Sequence, residues 1–222
     1  MVETYPSATA LAEAAAAGIA AHLTEALRTR GRAGLVATGG RSPGPVYDRL
    51  REARLDWARV VVTLSDERCV APQAPESNAR LVRERLLVGD AAKAHLLPLW
   101  PEPDAAALRA LLPFDAVMLG MGEDGHVASL IPGSPALAAG MERSSDRLTV
   151  FVPEGAGKPP LARVSLTLAA LEQARGVFLL IAGAAKREVI ERARAGADLP
   201  VRALLTQDRV PVRILWSPAH EG

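Results

Sequence analysis

The sequence predicts an α/β protein with a mostly parallel sheet and helices on both faces, arranged in the three layers of a Rossmann-like fold. Apolar and β-branched runs suited to buried strands alternate along the chain with segments of helical periodicity. Several of these runs lead into glycine-containing turns, as they do at the carboxyl edge of such a sheet. The 222 residues show no break in composition that separates two units, so we expect one domain over residues 1–222.

The first half of the chain begins with the longest predicted helix. Residues 8–30 keep one face largely apolar at helical spacing, and Gly31 follows as a stop signal. Ser77 or Asn78 is a suitable N-cap for a second helix that reaches about Leu87. The other elements expected in this half are a strand at residues 34–38, a helix with a proline in its first turn at 43–54, a β-branched strand at 59–64, a weak strand at 95–99 and a short helix at 103–112.

The second half repeats the alternation of strand and helix, which favours parallel pairing because each helix carries the chain back across the sheet. Residues 133–146 form the segment that we expect to be the most mobile loop. The other expected elements are buried strands at 114–120 and 177–182, strands at 148–153, 163–168 and 212–216, helical segments at 169–174 and 200–207, and a helix at 184–195 that Gly196 ends.

Charge, cysteine content and hydropathy exclude several classes of protein. The 26 Lys and Arg residues and 25 Asp and Glu residues are mixed along the chain, so no nucleic-acid partner is expected. The single cysteine, Cys69, excludes an intrachain disulfide and fits a reducing compartment. We find no signal peptide and no run near the roughly 18 apolar residues of a membrane span. The chain is therefore expected to be cytoplasmic, without membrane association.

The clearest chemical signal is at residues 119–126, Leu-Gly-Met-Gly-Glu-Asp-Gly-His, which follow a predicted buried strand. Glycines leave room for a ligand to approach the backbone, and histidine has the unperturbed pKa that suits proton transfer near neutral pH. His126 is therefore a candidate general base, with a structural histidine as the alternative. The glycine spacing also matches a dinucleotide fingerprint, but two acids oppose a pyrophosphate and no long helix follows, so no nicotinamide cofactor is expected.

Three other segments carry candidate ligands for a sugar phosphate. Residues 38–43, Thr-Gly-Gly-Arg-Ser-Pro, offer backbone amides and a hydroxyl at a helix N-terminus, which suits phosphate, or they form only a tight turn. Asp66 and Arg68 follow a strand and are suited to sugar hydroxyls and phosphate, or form a surface ion cluster. Lys186 opposes the helix dipole in a first turn, which an anion would explain, or it is simply solvated. The four histidines have no metal-ligand spacing, so no metal is expected.

In their order and spacing these segments resemble the 6-phosphogluconolactonase family, over about residues 34–216. The most specific piece is residues 124–130, Asp-Gly-His-Val-Ala-Ser-Leu, and the one visible departure is Ile131, where a phenylalanine is expected. Glucosamine-6-phosphate deaminase, of the same superfamily, continues with a Phe-Asn-Glu-Pro type of sequence, whereas this chain has Ser-Leu-Ile-Pro and no acid there. The other matching pieces are residues 39–43, 66–68 with 77–78, 158–160 with 163–168, and 183–186.

The resemblance implies a hydrolase that converts 6-phospho-D-glucono-1,5-lactone to 6-phospho-D-gluconate in the oxidative pentose phosphate pathway, with no cofactor. It implies that His126 activates the attacking water and returns the proton to the ring oxygen. We expect Asp124 to orient the imidazole, with an adjacent backbone carbonyl as the alternative. A monomer or weak homodimer is expected, with the sugar-phosphate lactone as the small-molecule partner. The implied substrate-binding residues are Gly39, Gly40, Arg41, Ser42, Asp66, Arg68, Gly122, Arg163 and Lys186.

Three rival functions remain at this point. The first is a deaminase or aldose–ketose isomerase that acts on an amino-sugar phosphate. The second is a non-catalytic sugar-phosphate sensor, although little sequence precedes the strand at residues 34–38 to form a DNA-binding helix-turn-helix segment. The third, a nicotinamide-dependent oxidoreductase, rests on the glycine spacing alone.

Overall fold

The computed structural model describes residues 1–40 and 42–218. Short 3-10 helices lie at Trp57–Arg59 and Gly89–Lys93. The other elements are, in chain order, β1 (Val2–Thr4), α1 (Ala8–Arg30), β2 (Ala33–Ala37), α2 (Pro43–Leu50), β3 (Val60–Leu64), β4 (Asp66–Arg68), α3 (Asn78–Arg85), β5 (His95–Leu96), α4 (Ala105–Ala110), β6 (Ala116–Gly120), α5 (Leu137–Met141), β7 (Thr149–Val152), β8 (Arg163–Leu166), α6 (Leu168–Leu171), β9 (Val177–Ala182), α7 (Ala184–Arg194), α8 (Pro200–Leu205) and β10 (Val212–Ser217).

Seven strands form one parallel sheet in the order β1–β10–β9–β6–β2–β3–β5. Strands β2, β6 and β9 are buried over nearly their whole length. Near-continuous apolar strands of this kind belong to a parallel sheet that helices cover on both faces. The α/β fold class predicted from the sequence is therefore confirmed.

The strand order places a switch point between β2 and β6, which lie side by side. The chain leaves β2 towards β3 on one side of the sheet, and it leaves β6 towards β9 on the other. Because such crossovers are right-handed, the two connections put their helices on opposite faces. The first connection contains α2, which packs with α1 and α3, and the second contains α5 and α6, which pack with each other. The connections that follow β2 and β6 therefore run in opposite directions and leave a crevice at the carboxyl edge of the sheet.

The long helix α1 forms as its sequence predicts, over residues 8–30. The Ser7 hydroxyl accepts a hydrogen bond from the Ala10 N–H at its start. Gly31 ends it at φ 70° and donates its N–H to the Leu27 carbonyl oxygen. The buried face includes Ile19 and Leu23, which are fully covered by the sheet and its neighbours. Among the described residues no helix has both the length and the apolar character needed to cross a membrane.

The structure differs from the expectations in four places. The edge strand β1 and the strand β4 were not predicted, because three residues carry no usable period. Strands β7 and β8 do not join the main sheet; with β4 they form a separate antiparallel sheet in the order β4–β8–β7. The segment 133–146, expected as a loop, contains α5, and Arg143 in it forms hydrogen bonds with both carboxylate oxygens of buried Glu172. Gly140 of α5 allows close packing against Leu130.

Candidate active site

A cleft of about 160 Å³ opens at the carboxyl edge of the main sheet, at the switch point between β2 and β6. Each predicted site residue lines it except two. Arg41 lies outside the described residues, and Asp124 stands beside His126 as its hydrogen-bond partner. The cleft is lined by Thr38, Gly39, Gly40, Ser42, Pro43, Asp66, Arg68, Asn78, Gly120, Met121, Gly122, His126, Ala128, Arg163 and Lys186.

The imidazole of His126 is oriented by the carboxylate of Asp124. Its Nδ1 lies 2.6 Å from Asp124 Oδ1, and the same oxygen accepts the His126 backbone N–H at 3.2 Å. This hydrogen bonding lowers the pKa of Asp124 against the opposing effect of burial, so the carboxyl group stays ionised. An ionised carboxylate only accepts hydrogen bonds, so Nδ1 carries the proton. Nε2 is then the ring nitrogen with a lone pair available to take a proton.

The turn that carries this pair is shaped by Gly122. A Cβ atom at Gly122 would overlap the His126 ring and the Asp124 carboxylate, so only glycine leaves room for their hydrogen bond. The Gly122 N–H donates to the His126 carbonyl oxygen, and the Gly125 N–H donates to the Gly122 carbonyl oxygen, both at 3.0 Å. These two amides therefore stabilise the turn, and neither points at a substrate oxygen.

The glycine pair at the end of β2 forms a second wall of the cleft. The buried Tyr47 hydroxyl donates to the Thr38 carbonyl oxygen at 2.6 Å and accepts the Thr38 N–H at 2.9 Å, which fixes the strand end. A Cβ atom at Gly39 would overlap the side-chain amide of Asn78. Gly40 has φ 99°, a left-handed backbone that suits glycine and that turns the chain towards α2.

Two arginines come from the small antiparallel sheet. Arg68 on β4 and Arg163 on β8 are direct cross-strand partners, so both guanidinium groups reach the same wall of the cleft. Arg163 is only 3% exposed, its Nη2 donates to the Pro159 carbonyl oxygen, and its Nη1 lies 3.9 Å from Asp66 Oδ2. Burial lowers the pKa of Arg163, the Asp66 charge raises it and the Arg68 charge lowers it. Two guanidinium groups that line the same wall, only one of them near a carboxylate, suit a bound anion.

Each of the two arginines keeps one buried donor without a partner. The Nε atoms of Arg68 and Arg163 are buried without a hydrogen-bond partner. The Nη1 of Arg68 donates to the Glu76 carbonyl oxygen and to Asn78 Oδ1. A buried donor without a partner is costly, so these N–H groups are suited to an acceptor supplied by a ligand.

The neighbouring acid, Glu67, has a different function. Its carboxylate accepts the Asn78 and Ala79 N–H groups, each at 2.7 Å, and the Ser77 hydroxyl at 3.0 Å. It therefore stabilises the N-terminus of α3, where the helix dipole favours a negative charge. The alternative that these charges form only a surface cluster is wrong for Asp66 and Glu67, because both side chains are buried.

Lys186 lines the cleft from the first turn of α7. The turn before it is fixed by Trp216, whose indole Nε1 donates to the Gly183 carbonyl oxygen at 2.9 Å. The cleft thus collects residues that follow β2, β3, β6 and β9, together with Arg163 from the small sheet.

Sequence reasoning missed three residues that shape the site. Asn78 was expected as a helix cap and as part of the family resemblance, but not as a site residue, yet its amide contacts both Asp66 and Arg68. Ser129 follows the histidine motif and donates to Asp66 at 2.6 Å. Tyr47 lies within α2 and gives no signal of its contact with the end of β2. The serine was detectable from its place in the histidine motif; the other two contacts depend on packing.

The chain is similar to known proteins over nearly its whole length. Residues 6–216 match the family model described as glucosamine-6-phosphate isomerases/6-phosphogluconolactonase. The chain belongs to this family. A curated 6-phosphogluconolactonase of Caulobacter vibrioides is 44% identical over 225 residues, which cover 97% of this chain and 97% of the relative. One from Pseudomonas putida is 40% identical and covers 98% and 93%.

Solved structures agree with the family assignment. The crystal structure of a 6-phosphogluconolactonase from Shewanella baltica has a TM-score of 0.90 at 34% identity, covering 98% of this chain and 97% of that one. A monomeric glucosamine-6-phosphate deaminase, at 19% identity, has a TM-score of 0.74 and shares the fold. The family resemblance predicted from the sequence is confirmed, and the reported relatives at 34% to 44% identity carry the lactonase name.

Proposed function

We propose that this chain hydrolyses 6-phospho-D-glucono-1,5-lactone to 6-phospho-D-gluconate, as a cytoplasmic enzyme of the oxidative pentose phosphate pathway. One observation carries the proposal: the imidazole of His126, oriented by Asp124, lines the same cleft as Arg68, Arg163 and Lys186. A base and a group of cations in one cleft suit a substrate with a hydrolysable bond at one end and a phosphate at the other. The lactonase names of the relatives support the same substrate.

The phosphate is proposed to lie between the glycine pair and the cations. Backbone amides at Gly39 and Gly40, with the Ser42 hydroxyl, suit phosphate oxygens at the N-terminus of α2. The buried guanidinium of Arg163 and the ammonium of Lys186 neutralise the charge. The family resemblance adds Arg41 to these ligands. Asp66 and Arg68 border the sugar, with Asp66 a ready acceptor for its hydroxyl groups.

The reaction needs one general base because a lactone carbonyl is already electrophilic. His126 Nε2 takes a proton from a water molecule as the water oxygen bonds to C1. The imidazolium is stabilised by the Asp124 carboxylate. When the tetrahedral intermediate collapses, the bond from C1 to the ring oxygen breaks and the imidazolium returns its proton to that oxygen. The product is the open-chain acid, and no cofactor is consumed.

The experiment measures the hydrolysis of freshly generated lactone. Acid release is recorded at constant pH, and the rate is corrected for spontaneous hydrolysis. His126→Gln should lower kcat by about 10²- to 10⁴-fold with little change in KM. His95→Gln is the matched control, since His95 is exposed on β5 and does not line the cleft. A near-normal kcat for His126→Gln would refute the base assignment.

The same preparation tests the substrate class. Wild-type protein that does not exceed the spontaneous rate would refute lactone hydrolysis, and ammonia release from glucosamine 6-phosphate would favour the deaminase instead. Saturable binding of a sugar phosphate without turnover of the lactone would favour the sensor.

A further inference from the structure

The backbone after His126 is held in a conformation that its own sequence does not favour. Ala128 has φ 50°, the one positive φ among the described residues other than glycine. An alanine in the left-handed region costs free energy, so neighbouring contacts must hold it there. Val127, on one side of Ala128, supplies such contacts through its antiparallel β-bridges to Met121 and Leu130. The residue on the other side of Ala128 is Ser129, which is 1% exposed.

Ser129 is held by two hydrogen bonds to the small antiparallel sheet. Its N–H donates to the Ser165 hydroxyl oxygen at 3.0 Å, and its own hydroxyl donates to Asp66 Oδ2 at 2.6 Å. Asp66 and Ser165 are direct partners across the β4–β8 ladder. One cross-strand pair therefore anchors the segment that carries the histidine. Ser165 in turn donates to the Leu166 carbonyl oxygen, which leaves its oxygen oriented to accept from Ser129.

The same carboxylate oxygen that accepts the Ser129 hydroxyl also faces the buried arginine. Arg163 Nη1 lies 3.9 Å from Asp66 Oδ2, and Arg163 is two residues before Ser165 on β8, on the same face of the strand. The other oxygen of Asp66 accepts from the Ser65 hydroxyl and from the Asn78 amide. The carboxylate of Asp66 is thus fixed by several hydrogen bonds. Its Oδ2 contacts Ser129 on the side of the histidine and faces Arg163 on the side of the cations.

We propose that Ser129 is a positioning residue that sets the distance between His126 and Arg163 through the oxygen Asp66 Oδ2. The proposal rests on the function proposed above, in which Arg163 helps to anchor the phosphate and His126 activates water. With the phosphate fixed at one end, the rate depends on where the carbonyl carbon meets the base. Without the hydroxyl of Ser129, the segment 126–129 loses its hydrogen bond to Asp66, the carboxylate that faces Arg163, and keeps only the bond from the Ser129 N–H to Ser165 on β8.

The central variant is Ser129→Ala, which removes this hydroxyl and leaves Asp66 with its bonds from Ser65 and Asn78. We expect kcat to fall by about 10- to 100-fold, because small misplacements of a catalytic group have effects of this size. The inhibition constant of inorganic phosphate should stay within about twofold of wild type, since the anion ligands are unchanged. Ser134→Ala is the matched control, because Ser134 is also buried and its hydroxyl oxygen accepts a local hydrogen bond from the Ala136 N–H, two residues along the chain.

A second measurement is independent of lactone turnover. The ring-proton NMR signals of His126, identified by their loss in His126→Gln, should shift or broaden in Ser129→Ala, while those of His22 stay unchanged. If Ser129→Ala does not accumulate as folded protein, Ser165→Ala removes the other bond that holds Ser129 and carries the same expectation. Wild type without lactonase activity would refute the proposed function, yet the NMR signals would still test the link to His126.

Two results would overturn the positioning role. One is a kcat for Ser129→Ala equal to that of Ser134→Ala, and the other is an unchanged set of His126 signals. A fall in kcat with a matching rise in the phosphate inhibition constant would point to damage of the whole cleft, which also contradicts the proposal.

Discussion

Replacement of Gly122 by alanine perturbs the His126–Asp124 pair without removing either partner. A Cβ atom at Gly122 would overlap ring atoms Cε1 and Nδ1 of His126 and Oδ1 of Asp124. Two of these, Nδ1 and Oδ1, are the atoms joined by the 2.6 Å hydrogen bond. The Gly122 N–H also donates to the His126 carbonyl oxygen, so the new methyl group and the ring are held against each other.

The imidazole must move by about the radius of a methyl group, which separates it from Asp124. A misplacement of about 1 Å costs about 10²-fold in rate, and complete loss of general-base catalysis costs about 10²- to 10⁴-fold. We therefore expect Gly122→Ala to lower kcat for lactone hydrolysis by about 10²-fold or more. The KM should change less, because the proposed phosphate ligands lie on other segments.

The assay is the initial rate of lactone hydrolysis at constant pH, corrected for spontaneous decay. Gly34→Ala is the control for the same chemical change, since its Cβ would lie 3.6 Å from the nearest atom, an ordinary contact. Gly34 lies near the start of β2, at the end of the strand opposite the cleft. Equal kcat values for the two variants would refute the argument that the cleft depends on the geometry of this pair.

Arg163→Met removes a buried guanidinium and should raise both the KM for the lactone and the inhibition constant of phosphate by about tenfold or more, with a smaller change in kcat, in the same assay. The hydrogen bonds from Arg213 lower the pKa of Glu3 to about 2, from 4.5 for an unperturbed glutamate. Because the folded-state pKa is lower, this pair stabilises the fold above about pH 4.5 and less as the pH falls towards 2. Glu3→Gln should lower the free energy of unfolding near neutral pH by about 1 kcal/mol, an amount reduced for solvent screening of the partly exposed pair, as measured in urea titrations.

Controls separate these effects from general damage. Arg192→Met removes an exposed positive charge from α7 and should leave KM unchanged; a KM for Arg163→Met equal to that of Arg192→Met would contradict the anion role. For the Glu3 pair, a destabilisation by Glu3→Gln that stays constant from neutral pH down to about pH 2 would show that the charge of Glu3 is not its source.

Local sequence was enough to predict most of the fold. The strand at Val177–Ala182 was predicted with its observed bounds because it is a continuous apolar run between glycines, and α1 with both ends because its apolar face has helical spacing and Gly31 follows it. The sequence did not predict that β7 and β8 leave the main sheet. No helix lies between β7 and β8, so the expectation that a helix connects two parallel strands does not hold for this pair. Their partner strand β4 is only three residues long. Edge strand β1 was missed for the same reason of length.

The residue types of the site were also predictable, but their contacts were not. The family resemblance named Asp66 and Arg163 as separate candidates, and only the folded chain puts them against each other through the β4–β8 pairing. The same applies to the hydrogen bond between Ser129 and Asp66, which joins residues 63 positions apart. Glu67 stands next to Asp66 in sequence, yet it stabilises α3 because the alternation of a strand turns it the other way.

The sequence by itself therefore determined the fold class, the family and the kinds of side chain available, because periodicity, turns and short motifs depend on residues near each other in the chain. The tertiary structure alone decided which of those side chains meet. It placed the histidine segment against the small sheet, paired the two arginines and left their Nε donors buried without a partner. Those contacts follow from strand order and from the burial of charge, which arise only when distant segments pack together.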